Sequence, residues 1–371
     1  MVALALSDSA REVFTGLATL RRATRPELAA ACGLSKPTIS AAVAELEALG
    51  LVERNGTAHG ATGRSAAVYR LGPAAGYVLA VDRGSTQVAY RAVGLDGRLL
   101  DQDHTDEPDA ARTMVRTALR RRTRSGPLRA VVVAVSDVVT PEGRRGDPAV
   151  DQRIRAAVDG LGLPRGASVR AENNVNCAAV AELHAGTSGS RDTFVYLQVG
   201  VGIGAGLVVN GRLVRGVNGA AGEVARLAYP WVDDQAARPD ALEARLGSPG
   251  LLRRARARWS AGHGPVPDSA ATLFELADRG HPLAGELVAE HSGEVGKLAA
   301  SISAVLDPGL IVLGGGVGGN PLLTEGVAAT LTTLSWPTEV AVSRLGEQAT
   351  VLGATHLARE QGVLAATLTA V

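Results

Sequence analysis

The residues best placed for chemistry in this chain are a run of alternating glycines, Gly200-Val-Gly-Ile-Gly-Ala-Gly206. Glycine on one face of a strand pair lets a bulky group approach the backbone and its N–H donors, and phosphate is the commonest such visitor. The same spacing suits a hairpin packed tightly against another backbone, so both readings stay open on the run alone. Scanned as G-x-G-x-x-A it is a loose dinucleotide fingerprint, but that fingerprint needs a helix directly after it and a strand follows here. A second cluster, Gly314-Gly-Gly-Val-Gly-Gly319, fits G-x-G-x-x-G between an expected strand and helix. Glu339 follows about 20 residues later, where a ribose-binding acid belongs. Only about 50 residues remain beyond it, too few for a Rossmann domain. The cluster therefore reads as a strand–helix turn approaching a nucleotide, or as a tight turn only.

The elements that must carry these glycines follow from periodicity. Residues 194–197 are an apolar run expected to form a buried strand, and Asn210-Gly211 is a strong hairpin signal closing the next strand. Upstream, strands are expected at 77–81, 87–94, 98–101 (after an Asp96-Gly97 turn) and 130–135, with a helix over 108–124. The Arg120–Arg122 run ends that helix as a solvated face favourable to the helix dipole. Residues 169–171 lead into Glu172-Asn-Asn-Val-Asn176 and a helix through 178–184. Downstream, helices are expected at 241–259, 270–278 and 283–304, then a strand at 310–313 and a helix from 321 to 331. The result is an α/β body.

A different module precedes it. Apolar residues recur at helical spacing in 10–20, and Pro26 suits the first turn of a short helix over 27–32. Gly33 breaks that helix. Ser35 then stands as N-cap of a helix over 36–49 with the apolar stripe Ile39, Val43 and Leu46. Lys36, Thr38 and Ser40 are left facing outward. Two short strands, 51–54 and 67–71, flank a Gly-rich tip containing Arg64. Helix, helix–Gly–helix and a strand pair resemble a winged helix-turn-helix. In that motif Ser35, Lys36, Thr38 and Ser40 reach base edges or phosphates in the major groove, and Arg64 reaches a phosphate or the minor groove. Residues 1–72 carry eight Lys/Arg against six Asp/Glu, a mildly basic balance consistent with DNA. Gly72-Pro-Ala-Ala-Gly76 has linker chemistry and is expected to separate this reader from the body.

Composition limits the alternatives. The formal net charge of +1 sets up no global field toward nucleic acid or membrane, so any such partner must be read locally. Lys36 and Lys297 are the only lysines. Two cysteines, Cys32 and Cys177, rule out a disulfide framework or a Cys-rich zinc site. No apolar run approaches the ~18 residues needed to span a bilayer, and no signal-peptide pattern opens the chain, so a cytoplasmic protein is expected.

Together the motifs resemble the ROK family (repressors, open reading frames and sugar kinases). The resemblance implies a two-lobed, actin-like ATPase (ribonuclease H-like) α/β body behind a small α+β winged helix-turn-helix domain. Asp82-x-Gly84-x-Thr86 resembles the family's first phosphate loop, Gly200, Gly202 and Gly204 the second, and Gly314-Gly315-Gly316 the adenosine loop. Glu172-Asn173-Asn174-x-Asn176 stands at the E-N-D-x-N motif, and Gly219-Ala-Ala-Gly-Glu223 at G-A-A-G-E. The implied domains are residues 1–72, a first lobe over 77–185 completed by the C-terminal helix 354–371, and a second lobe over 186–353.

The departures from the family pattern carry the functional expectation. In the family's kinases the aspartate of E-N-D takes the proton from the attacking sugar hydroxyl. Asn174 stands there, and a carboxamide is far too weak a base; general-base help is typically worth about 10²–10⁴-fold. Val201 replaces a usual threonine of the second phosphate loop, and Ser136-Asp137 replaces Pro-Gly of the sugar loop. At the family's zinc motif, Arg226 stands at the histidine and Asp234, Ala236 and Ala241 at the three cysteines, so no metal site is expected. Asn173, Asn174, Glu223, Arg226 and Glu243 keep groups suited to a ligand. Their alternative role is to cap helices and satisfy backbone groups, Asn174 being an ordinary cap residue at a helix start. Arg226 and Arg83 would favour an anionic ligand such as a sugar phosphate or sugar acid.

The expected protein is a DNA-binding regulator, a repressor rather than an activator, with an inactive kinase body that senses a sugar or sugar-derived metabolite. It would bind a palindromic operator as a homodimer or homotetramer, with no cofactor and no membrane. An active ATP-dependent sugar kinase and a ligand-independent DNA-binding protein are the alternatives.

Overall fold

Local capping sets the N-terminal segment. In the computed structural model, which describes residues 6–59, 65–84, 87–122, 125–141, 144, 146–164, 167–228 and 238–368, the chain opens with α1 (Asp8–Leu20), β1 (Arg22–Thr24), α2 (Arg25–Cys32) and α3 (Lys36–Ala48). Thr24 and Glu27 form a capping box at the start of α2, and Ser35 caps α3. Ile39, Ala42, Val43 and Leu46 are buried, so the stripe read from sequence faces the core. β2 (Val52–His59) and β3 (Ser65–Leu71) complete a sheet of order β1-β3-β2, antiparallel throughout. Both strands run longer than the apolar pattern suggests, because a bulge between Arg54 and Thr57 carries the pairing on into polar sequence.

Two five-stranded sheets follow the same plan. The first contains β4 (Tyr77–Arg83), β5 (Val88–Gly94), β6 (Leu99–Thr105), β7 (Leu128–Val135) and β8 (Ser168–Asn173), in the order β6-β5-β4-β7-β8. β4, β5 and β6 form an antiparallel meander, and β7 runs parallel to β4. With it come α4 (Ala111–Arg121) and α5 (Pro148–Asp159). No residue of α5 is fully buried, so no apolar stripe announces it in the sequence. The second sheet follows α6 (Asn174–Ala185) and begins with β9 (Phe194–Val199), β10 (Ile203–Val209) and β11 (Arg212–Val214). Helices α7 (Ala241–Leu246), α8 (Ser248–Arg258), α9 (Ala270–Asp278) and α10 (Pro282–Leu306) come next. Then follow β12 (Leu310–Gly314), α11 (Gly315–Gly318), α12 (Pro321–Leu334), β13 (Glu339–Val342) and α13 (Ala349–Leu368). The order is β11-β10-β9-β12-β13, with β12 parallel to both β9 and β13. Val195, Leu197, Leu287, Val295, Ile311 and Leu323 lie in one buried cluster that packs this sheet against its helices. Each such side chain is worth about 1.5–3 kcal/mol when fully buried.

The chain divides into two compact units, residues 1–137, 149–172 and 354–371 in one and 138–148 and 173–353 in the other. Three expectations are corrected by this. The boundary expected at residue 185 falls at Glu172/Asn173, because β10 packs on α6: a Cβ at Gly206 would strike Ala179 and stand 2.9 Å from the Val175 carbonyl. The linker 72–76 does not detach the reader. Pro73–Ala75 form a 3-10 turn, with the Gly72 amide donating to the Leu51 carbonyl at 2.8 Å and the Tyr77 amide to that of Pro127 at 3.0 Å. The helix expected over 241–259 is two helices, broken at Gly247, whose α-carbon lies against the Val201 carbonyl.

Candidate functional site

At the reader, the N-terminus of α3 is organised by its own cap. Ser35 Oγ accepts from the Thr38 amide at 3.3 Å, and the two hydroxyls lie 2.7 Å apart. Both residues therefore shape the helix start before they can meet any partner. Lys36 is exposed and Ser40 half-buried on the same turn of helix. Arg64 lies outside the described residues. Arg54 and Arg70, on the wing strands, pair with Glu47 and Glu53 of the same domain. Sequence reading missed the capping box, although Thr24-Arg-Pro-Glu27 spells it; the hydrogen bonds Thr24 donates hold the Glu27 carboxyl below the usual range.

In the second unit the alternating glycines divide into two groups. Gly204 and Gly206 are packing glycines: a Cβ at Gly204 would lie 2.9 Å from a Val175 methyl, and Gly206 meets Ala179. The tight-hairpin reading describes these two. Gly200 instead faces the other glycine loop, since a Cβ there would be 3.5 Å from the Gly316 amide nitrogen. Nothing lies within 4 Å of a Cβ built on Gly316, so this loop is open. The break at Gly247 serves the same place, because the first turn of α8 donates its Ser248 amide to the Gly200 carbonyl at 2.8 Å. A cavity of about 290 Å³ opens beside Gly316, lined by Phe274, Glu275, Val317, Asn320 and Pro321 among others.

Glu243 reaches the hairpin from α7. Its Oε2 accepts from the Ile203 amide at 3.4 Å and lies against the Gly202 α-carbon. The Gly219–Glu223 turn lies along β10, where the Ala205 amide donates to the Gly222 carbonyl at 3.0 Å. Gly222 has φ +86° and its α-carbon sits on the Ala205 carbonyl, so no other residue fits there. Glu223 is half-buried, while Arg226, ending a 3-10 turn, is exposed.

The Glu172–Asn176 motif straddles the two units. Glu172, 2% exposed, pairs with Arg170 at 3.0 Å in the first. Asn173, not Asn174, is the N-cap of α6: its Oδ1 accepts from the Val175 and Asn176 amides at 2.9 and 3.1 Å. Asn174, half-buried, also turns its Oδ1 toward the Val175 amide, at 2.9 Å. In the first unit, Asp82 is the penultimate residue of β4 and almost fully buried, and burial pushes its carboxyl up to about 7. Gly84 directly follows β4, and Thr86 lies outside the described residues. Asp137, expected in the sugar loop, is engaged by Arg153 at 2.5 Å.

Glu339, placed by spacing where a ribose acid would be, opens β13 and pairs with Arg191. Among the described residues, no group of three or more His, Cys, Asp or Glu is placed to hold a metal ion. Asp234 and Ala236, at two expected cysteine positions, lie outside those residues. No helix among them is long and apolar enough to cross a membrane.

Two α/β sheets of one plan, each with glycine or acidic loops at strand ends, and a winged helix-turn-helix ahead of them define a class of protein. Residues 78–361 match the ROK family and residues 15–65 the MarR family. The chain belongs to the ROK family, with an actin-like sugar-kinase-type body behind a MarR-type winged helix. A solved ROK family transcriptional regulator, a homolog of the E. coli MLC protein, superposes with a TM-score of 0.71 at 20% identity, covering 98% of this chain and 100% of that one. The ROK hexokinase of Thermus thermophilus gives 0.58 at 28% identity, covering 77% of this chain and 98% of that one. Among curated proteins, the N-acetylmannosamine kinase of Salmonella typhi is 32% identical over 192 residues, 51% of this chain and 64% of that one. The bifunctional enzyme NanE/NanK of Brucella melitensis biotype 1 is 29% identical over 202 residues, 53% of this chain and 36% of that one. The chain thus spans between about a third and just under two thirds of these curated relatives.

Proposed function

We propose that this chain is a transcriptional repressor whose ROK body senses a sugar-type metabolite without phosphorylating it. The observation that carries the reading is Asn174, a carboxamide where the family's kinases have their base, on a body joined to a winged helix. A carboxamide can hydrogen-bond a sugar hydroxyl and still be unable to remove its proton. Asn173, Asn174, Glu223, Arg226 and Glu243 form the ligand set; all five belong to the second unit. The Gly200–Gly202 and Gly314–Gly316 loops, facing each other beside an open cavity, are the remnant of a nucleotide site in the second unit; Asp82, Gly84 and Thr86 are a degenerate phosphate loop of the first unit, read by itself. Lys36, Ser40 and Arg64 contact DNA, with Ser35 and Thr38 shaping the helix start.

A homodimer or homotetramer would bind a palindromic operator with half-sites about one helical turn (~34 Å) apart. Ligand must bind two conformations of the body unequally to switch it. The kinase relatives favour a second reading, an active sugar kinase with an accessory reader. A coupled ADP-release assay with ATP, magnesium and neutral or N-acetylated hexoses separates the two. The full chain is expected to stay below about one turnover per second, and phosphorylated sugar above that rate removes the repressor-sensor reading. Selection from random duplexes is expected to return an inverted repeat; failure to select any sequence removes the DNA-reading half.

A further inference from the structure

Two half-buried arginines in the first unit, Arg359 and Arg129, take no part in the sites above. Both donate to main-chain carbonyls of the reader or of the turn that leaves it. Arg359, on α13, donates from Nη2 to the Ala18 carbonyl at 3.0 Å and to the Leu95 carbonyl at 3.1 Å, with Nε 3.3 Å from the latter. Ala18 lies in the last turn of α1, where helix carbonyls lack intrahelical partners. Leu95 directly follows β5. One guanidinium thus ties the reader's first helix to the sheet of the first unit.

The turn after β5 is built to admit it. Gly97 has φ +79°, and a Cβ there would stand 3.0–3.3 Å from the guanidinium atoms of Arg359. Arg129 of β7 donates from Nε to the Ala75 carbonyl at 3.0 Å and from Nη2 to the Ala74 carbonyl at 2.7 Å. These are the carbonyls of the turn that leaves the winged helix. α13 backs both contacts, because a Cβ built on Gly362, three residues after Arg359, would stand 3.5 Å from the Arg129 Cβ. Arg21 and Asp96 are the charged neighbours of Arg359; burial lowers the pKa of Arg359 and of Arg129.

We propose that Arg359 and Arg129 are positioning residues that clamp the winged helix at one orientation on the first sheet, with residues 354–368 of α13 as the part that holds the clamp. A reader on a loose linker tolerates several half-site spacings, whereas a clamped one reads a single spacing. A displacement of this segment of α13 therefore moves the reader with it. The clamp stands on the geometry alone; its effect on operator choice rests on the DNA-reading proposal.

Hydrogen exchange on the full chain tests the clamp. Arg359→Met keeps the stem and removes the donors. It is expected to speed exchange at the last-turn amides of α1 by about tenfold or more, and Arg129→Met to do the same at residues 74–77, with β9 and β12 unchanged. Arg359→Lys, which restores donors on a stem of similar length, is expected to recover part of that protection. Unchanged exchange in both Met variants, or identical exchange for Met and Lys at 359, overturns the clamp. A second arm uses duplexes selected by the wild type, with the half-site spacing changed by one base pair. The wild type is expected to lose about tenfold in affinity and the Arg129→Met/Arg359→Met double variant less than about threefold. Equal losses overturn the effect on spacing. A wild type that selects no duplex removes the DNA-reading proposal and leaves exchange to decide the clamp.

Discussion

Asn174 and Lys36 show how far single residues carry the reading. That a carboxamide stands at 174 was legible from residue type, and no environment turns a carboxamide into a useful base. Its neighbour's role was not: both Asn173 and Asn174 suit a helix cap, and only the backbone path assigns that role to Asn173. At the reader, Thr38 was expected outward with Lys36 and Ser40, but its hydroxyl lies 2.7 Å from that of Ser35, the expected cap. If α3 reads DNA as proposed, the exposed Lys36 is its electrostatic contact at the helix start. Lys36→Ala is expected to weaken DNA binding about equally across sequences and to reduce the slope of log affinity against log salt by about 1, measured by fluorescence anisotropy. A sequence-selective loss with an unchanged slope would instead make Lys36 a base reader.

At the scale of elements, the hairpin and α6 must be read as a pair. The alternation of Gly200–Gly206 was legible, but its division into open and packed glycines was not. Gly204 and Gly206 are glycine because Val175 and Ala179 of α6 lie on them, and no local pattern names a helix some thirty residues upstream as the partner. Gly206→Val is expected to destabilise the second unit by about 1–3 kcal/mol through overpacking, read as a lower urea midpoint by tryptophan fluorescence from Trp259 and Trp336. At α2, the Thr24 cap is a local matter and was written in the sequence. Thr24→Ala is expected to cost about 1 kcal/mol, seen as faster amide exchange in α2.

For the whole molecule, two buried titratable groups give the units opposite responses to pH. Burial raises Asp82 in the first unit to about 7, so its stabilising contribution is full below the ordinary carboxylate range and is lost as pH rises through 7. Burial and the charges of Arg254 and Arg245 lower His291 in the second unit to about 3. Its contribution is full above about 6.5 and is lost as pH falls toward 3. Between pH 7.5 and pH 5 the urea midpoint followed by tryptophan is therefore expected to fall, and to fall less in His291→Leu. Exchange protection of β4 is expected to rise over the same interval, and Asp82→Asn to abolish that rise; parallel movement of both units would contradict the assignment. Residue type and spacing by themselves determined which family plan the chain follows, that a carboxamide stands at residue 174 and where most helices and strands begin, because these depend on side chains and local backbone preferences. Tertiary structure alone decided that α6 joins the second unit, that the reader is held by Arg359 and Arg129 rather than set free at 72–76, and which glycines stay open. Those outcomes depend on which distant backbone or side chain fills a given space, and contacts between residues such as Ala18 and Arg359 leave no periodic trace in the chain.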